Sequence, residues 1–376
     1  MAFTPEELNN AYETLASVRD EWLSFSGVTA VDLGFKWTDG AMTQQLALRV
    51  HVAKKRPLEE IPENELLPKE INGIPVDVIE AEYGLQILDR PENIQLEAAA
   101  QNRSSRFDEI PAGVSIGSPH VSAGTLGAKV FDANSETPLI LSNWHILAGV
   151  PTASAGLPIW QPGALDGGRN NANTFAVLER FNLGPLDAAV ARITDQRPVT
   201  TATYEGHPIE DATAPMLGMT VHKSGRTTGF TEGFIDGVQM TVSLNYGTAG
   251  TRTIQNVIHI VPLPGSGNVE ISSGGDSGSV WVDKASGKAV GLHFAGESSN
   301  TAPEHALAND ITAVIQILQI KFKAQLAPPA PPEDPTPPTD PPPPLPEPTP
   351  PSAPPEPELS FWQRLIKLIR SLFGLD

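Results

Sequence analysis

The sequence contains no cysteine. Disulfides, a thiolate metal site and a cysteine nucleophile are therefore excluded. Basic residues are scarce: 25 Lys and Arg stand against 44 Asp and Glu, a formal net charge of −19. Such a balance argues against nucleic acid as a partner, because phosphate needs a basic surface. No run of about 18 apolar residues occurs, so no helix is expected to span a membrane. Met1 to Leu8 carries neither the basic start nor the apolar stretch of a signal peptide. With the absence of cysteine, this predicts a cytoplasmic location. What is present suffices for real cores: 40% of the 376 residues are hydrophobic, a length for about two domains plus extras.

Proline is concentrated rather than common. Of 37 prolines, 18 lie between Pro328 and Glu358, a stretch with six acidic and no basic residues. It cannot bury a core and reads as an extended spacer, linker 328–358. Residues 359–376 follow as a short amphipathic helix. Phe361, Trp362, Leu365, Ile366, Leu368, Ile369, Leu372 and Phe373 share one face, with Arg364, Lys367 and Arg370 opposite. It suits either a membrane surface or a groove of a protein partner.

Residues 1–100 read as a small α/β accessory or regulatory domain. Thr4-Pro5-Glu6-Glu7 is a capping box, followed by apolar residues at helical spacing from Leu8 to Trp22. Val28 to Phe35, Leu46 to Val52 and Ile74 to Ile79 read as strands, divided by Asp39-Gly40 and Asn72-Gly73 turns. Residues 101–112 read as a linker. From Gly113 short β-type runs alternate with Gly, Pro, Asn and Thr, so 113–327 reads as an all-β barrel or sandwich. Asn309 or Asp310 caps one late helix, with Ile311, Val314, Ile315, Leu318 and Phe322 on its apolar side.

Three segments carry chemistry: Leu141-Ser-Asn-Trp-His145, Gly184-Pro-Leu-Asp187-Ala-Ala-Val, and Ser273-Gly-Gly275-Asp276-Ser277-Gly278-Ser279. Acyl transfer by a serine needs a base, a buried carboxylate that fixes the base's tautomer, and N–H donors at the developing oxyanion. His145, Asp187 and Ser277 are candidates for base, carboxylate and nucleophile. The N–H groups of Gly275 and Ser277 are candidates for the oxyanion hole, since a glycine two before the nucleophile lets the backbone turn. A lone histidine or aspartate is a weak signal. The order His, Asp, Ser, each at a strand edge within one β-rich block, is a stronger one.

On these segments the sequence resembles the trypsin-like, or chymotrypsin-fold, serine peptidases of bacterial type, over residues 113 to 325. The resemblance implies an all-β fold of two antiparallel Greek-key β-barrels with the triad between them. It also implies a serine endopeptidase acting on protein or peptide substrate, with no cofactor and no metal. Lys223-Ser-Gly-Arg-Thr-Thr-Gly229 is similar to the hairpin preceding the nucleophile in bacterial members. Ala289-Val-Gly-Leu-His293-Phe-Ala-Gly296 is similar to the pocket-wall strand of glutamyl endopeptidases. There a histidine and a hydroxyl hold an acidic P1 side chain. The corresponding substrate-binding residues here would be His293 and Ser272, with Gly296 on the same strand, implying a preference for acidic P1. The competing reading is a catalytically silent or latent peptidase-fold binding module, tethered by its C-terminal helix. A further one is a chain that cuts its own linker or tail.

Overall fold

The computed structural model describes residues 3–88, 102–169, 172–194, 196–267, 269–298 and 304–324. The proline-rich linker 328–358, the helix expected at 359–376 and the 100/101 boundary lie outside the described residues. Thr4 opens helix α1 (Pro5–Leu23): its hydroxyl accepts the Glu7 N–H at 3.2 Å, and Glu7 returns a bond to the Thr4 N–H at 2.7 Å. Ala11, Leu15, Val18 and Trp22 form its buried side. They pack on Val31, Leu33, Leu48 and Val50. Each of the leucine and valine side chains contributes on the order of 1.5–3 kcal/mol by leaving water.

The strands follow in chain order. The first are β1 (Val28–Thr38), β2 (Ala41–Val52), β3 (Glu70–Ile71), β4 (Ile74–Glu80) and β5 (Tyr83–Leu85). Next come β6 (Ile110–Ala112), β7 (Ser115–Ile116), β8 (Gly124–Thr125), β9 (Ala128–Asp132) and β10 (Pro138–Ser142). A single helical turn, α2 (Trp144–Leu147), leads to β11 (Pro158–Trp160), β12 (Thr174–Leu183), β13 (Asp187–Ile193) and β14 (Val199–Thr203). The remainder are β15 (Thr220–Gly225), β16 (Gly229–Asn245), β17 (Thr251–Val261), β18 (Val280–Asp283), β19 (Ala289–Glu297) and β20 (Ala306–Asp310). Helix α3 (Ile311–Leu318) and β21 (Ile320–Lys321) end the described chain. Asp310 caps α3, its carboxylate accepting the Thr312 N–H at 2.7 Å, whereas Phe322 falls beyond the helix and is buried past β21.

Two sheets dominate. One follows β11-β12-β13-β10-β9-β21. The other follows β15-β18-β19-β20-β17-β16 and closes on itself, because β15 also pairs with β16. From β16 the same sheet continues through β1, β2, β4 and β3, and β5 pairs separately with β19. The first 88 residues, expected as a small domain of their own, thus share a sheet with the C-terminal block. All the described residues lie in one compact unit.

A buried charge network ties the two parts together. Arg49 donates to Asp32 through Nε at 2.7 Å and through Nη2, and to Asp236 through Nη1 at 2.8 Å. All three side chains are fully buried. Desolvation of such groups is costly, so they persist only with complete pairing. The stretch 102–112, expected as a linker, is also packed. Arg103 is buried, bonds Ser224 Oγ at 2.8 Å and pairs with Glu205, and β6 runs parallel to β14.

Candidate active site

His145 sits on α2, directly after β10. Asp187 starts β13, the neighbour of β10. This adjacency brings together two residues 42 apart in sequence. His145 Nδ1 lies 2.5 Å from Asp187 Oδ2, and the His145 backbone N–H donates to Asp187 Oδ1 at 3.2 Å. Tyr246 donates its hydroxyl to Asp187 Oδ2 at 3.0 Å. Burial, and then the Asp187 charge, hold the Tyr246 phenol well above its ordinary range, so it stays a donor. The Asp187 backbone is clamped as well. Asn309 Oδ1 accepts its N–H at 3.1 Å, and Asn143 Nδ2 and Asn309 Nδ2 donate to its carbonyl at 2.8 and 3.1 Å. Asp187 is fully buried and His145 nearly so. His145 Nε2 is buried and makes no hydrogen bond.

Ser277 comes from the other sheet system, on the loop before β18. Gly275 and Gly278 both have φ near +97°, which favours glycine and makes the two sharp bends around the serine. Asp276 anchors the loop from behind. It accepts the N–H groups of Thr227 at 2.8 Å and Ser273 at 3.0 Å, the Thr228 hydroxyl at 2.6 Å, and the Lys223 ammonium at 3.1 Å. Burial alone would raise the Asp276 carboxyl. The Lys223 charge and the Thr228 hydroxyl outweigh it and hold it below the ordinary range. Burial in turn lowers the Lys223 ammonium. The Lys223–Gly229 hairpin singled out in the sequence therefore braces the loop that carries Ser277.

Ser277 Oγ is fully buried, 3.4 Å from the Phe294 carbonyl oxygen and 3.5 Å from that of Gln86. The Gln86 oxygen also accepts the Gly275 N–H at 3.1 Å. The expected oxyanion donor at Gly275 thus already holds a carbonyl oxygen.

The three expected pocket residues converge on the same side chain. His293 Nε2 is 2.9 Å from Gln86 Oε1, and Gln86 Nε2 donates to the Ser272 carbonyl at 3.4 Å. A β-carbon on Gly296 would lie 2.3 Å from Gln86 Nε2, so glycine there leaves room for the amide. Ser272 contributes its backbone carbonyl, while its hydroxyl is buried and unbonded. On the other side of Ser272, Glu304 Oε1 accepts the N–H groups of Ile271 at 2.8 Å and Ser272 at 3.1 Å. Burial, then the Lys223 charge, push the His293 imidazole down to about 3, leaving it neutral near pH 7.

Sequence reasoning missed Gln86, Tyr246, Asn309 and Glu304. Tyr246 follows a strand-like run and Asn309 was weighed only as a cap. Nothing local marks Gln86, because its role exists only through pairing with β19, some 200 residues on.

No protein-family model matches the chain, and no curated protein does. Among solved structures it is similar to bacterial serine proteases of the trypsin/chymotrypsin fold. Nocardiopsis protease is 19% identical, with a TM-score of 0.43 over 57% of this chain and 99% of its own. A glutamic acid specific serine protease is 21% identical, with a TM-score of 0.43 over 57% of this chain and 100% of its own. Thermobifida fusca Protease A is 17% identical, with a TM-score of 0.43 over 58% of this chain and 100% of its own.

Proposed function

We propose that the chain is a serine endopeptidase. His145 is the general base and acid, Asp187 orients it, and Ser277 is the nucleophile. The observation that carries this reading is the fully buried Asp187 carboxylate, 2.5 Å from His145 Nδ1. Such pairing fixes the tautomer that puts the basic lone pair on Nε2. Ser277 Oγ faces the Phe294 and Gln86 carbonyl oxygens, makes no hydrogen bond to His145 Nε2, and must turn toward it for the reaction.

His145 Nε2 takes the Ser277 hydroxyl proton as Oγ attacks a peptide carbonyl carbon. The N–H groups of Gly275 and Ser277 receive the charge that develops on the carbonyl oxygen. His145 then returns the proton to the leaving amine, and the acyl group stays on Ser277. Water, deprotonated by His145, hydrolyses the ester. His293, Ser272 and Gly296 form the primary pocket, which would take a side chain ending in a planar carboxyl or carboxamide.

Labelling of the purified chain with a fluorophosphonate, beside Ser277→Ala, tests this. Labelling that disappears in the variant is expected. Hydrolysis of a peptide at the parental rate by a folded Ser277→Ala chain would overturn it, since loss of the nucleophile costs on the order of 10⁶-fold.

A further inference from the structure

The pocket, the oxyanion donor and the nucleophile are all in contact with one residue of the same chain. β5 lies antiparallel to β19, with Leu85 opposite Ala295, Gly84 opposite Gly296 and Tyr83 opposite Glu297. Adding a strand to a pocket wall is how extended peptides are commonly bound. The next residue, Gln86, sends its side chain to His293 and Ser272 and its carbonyl oxygen to the Gly275 N–H, 3.5 Å from Ser277 Oγ. The Ile87 N–H then bonds back to the Leu85 carbonyl at 3.0 Å. That closes a three-residue turn on Gln86 and bends the chain at the following peptide bond.

We propose that Tyr83–Gln86 is this enzyme's own first substrate, with Gln86 in a pocket that selects a glutamine side chain and Gln86–Ile87 as the bond that is cut. The proposal rests on the serine-endopeptidase reading of His145, Asp187 and Ser277.

The preference for glutamine over glutamate follows from the two contacts. Gln86 Oε1 can only accept, so its 2.9 Å contact requires the proton of a neutral His293 on Nε2, and the Ser272 carbonyl accepts from Gln86 Nε2. A glutamate would turn a second oxygen toward the Ser272 carbonyl, acceptor against acceptor. Glu304 bonds the far side of that same residue with Glu297 beside it, and burial raises both carboxyls, Glu297 to about 9, so these surroundings disfavour a further carboxylate anion. Lys223, the cation whose charge acts most on His293, is committed to Asp276. Among the described residues no cation bonds to Gln86, His293 or Ser272, so the acidic-P1 expectation becomes a carboxamide one.

The reaction balances with one water. Ser277 Oγ bonds to the Gln86 carbonyl carbon and its proton moves to His145. The Gln86–Ile87 C–N bond breaks as that proton passes to the Ile87 nitrogen. Water then releases the Gln86 carboxylate and restores the Ser277 hydroxyl. The pieces 1–86 and 87–376 should stay together, because β1 remains paired with β16 and Arg49 with Asp236. A cut chain would therefore keep its native size and separate only in denaturant.

The test is denaturing mass spectrometry of the full chain over time, with N-terminal sequencing, beside Ser277→Ala. The parent should yield two pieces, the second beginning Ile-Leu, and Ser277→Ala should stay whole. Peptides Tyr-Gly-Leu-Gln-Ile-Leu and Tyr-Gly-Leu-Glu-Ile-Leu are then compared in the cleaved enzyme. The glutamine peptide should be cut at least about tenfold faster at pH 7, with the gap narrowing toward pH 5 as glutamate becomes neutral. A parent chain that stays whole while it, or Gln86→Arg with the pocket vacated, labels at Ser277 overturns self-cleavage and leaves the endopeptidase reading standing. A glutamate peptide cut as fast as the glutamine peptide at pH 7 overturns the pocket assignment. No labelling in either chain overturns the endopeptidase reading, and the inference with it.

Discussion

Arg49→Met is the substitution whose consequences follow most directly from the packing. Methionine keeps the bulk of the stem and removes the guanidinium that joins Asp32 to Asp236. Breaking a buried ion pair by deleting one partner costs about 3–5 kcal/mol, since the other charge is left in low dielectric. Here two carboxylates lose their main partner. Asp236 keeps His259 at 2.5 Å and Trp37 at 3.0 Å, and Asp32 keeps His51 at 3.2 Å. The upper end, about 5 kcal/mol, is therefore expected. At a urea slope of about 3 kcal/mol/M the midpoint falls by between 1 and 2 M, to order of magnitude. The pH dependence sharpens the test. Burial by itself would raise the Asp32 carboxyl; the Arg49 charge, and then His51, reverse this and hold it at about 2. Asp236 is lowered in the same way. Between the ordinary value of 3.8 and the folded value these carboxylates bind fewer protons folded than unfolded. Their stabilisation is thus full above about pH 4 and lost as pH falls toward 2. Without Arg49 the stabilisation is missing at neutral pH, so the gap between parent and variant should narrow as pH drops from 5 to 3. Urea melts followed by tryptophan fluorescence at several pH values measure this. A midpoint shift below about 0.3 M at pH 7, or a gap that widens on acidification, would refute the reasoning.

Two further outcomes are expected. Asp187→Asn removes the carboxylate shared by His145 and Tyr246, and peptide hydrolysis should fall on the order of 10⁴-fold with the fold retained. A loss under tenfold, by steady-state kinetics, would remove Asp187 from the mechanism. Gly296→Val places carbon where the Gln86 amide lies, 2.3 Å from its nitrogen. Cleavage of glutamine peptides should drop at least about a hundredfold while a small fluorophosphonate still labels Ser277, and parental peptide kinetics would contradict the pocket assignment.

Much of the site is legible in the chain itself. Histidine, aspartate and serine each stand at a strand edge in a β-rich block, and the glycines around Ser277 announce a turn with donors. The α1 cap, its apolar stripe and the β1–β2 and β3–β4 turns at Asp39-Gly40 and Asn72-Gly73 are local and were readable for that reason. The role of Tyr246 is different. Its hydroxyl matters only because the end of β16 comes back beside Asp187, 59 residues away. Lys223 reads as a strand residue in a hairpin until Asp276 is placed against it.

Local spacing thus determines which groups are candidates for the proposed chemistry and roughly where each element starts and stops, because caps, turns and periodicity act over a few residues. Long-range pairing determines what those groups face. β1 joins β16, so the first 88 residues extend the C-terminal sheet instead of standing apart. β5 joins β19, so Gln86 comes to lie against His293, Ser272 and Gly296. Neither pairing leaves a mark in sequence, because a strand edge offers the same N–H and C=O groups to any partner, and burial of the whole chain selects which one it takes.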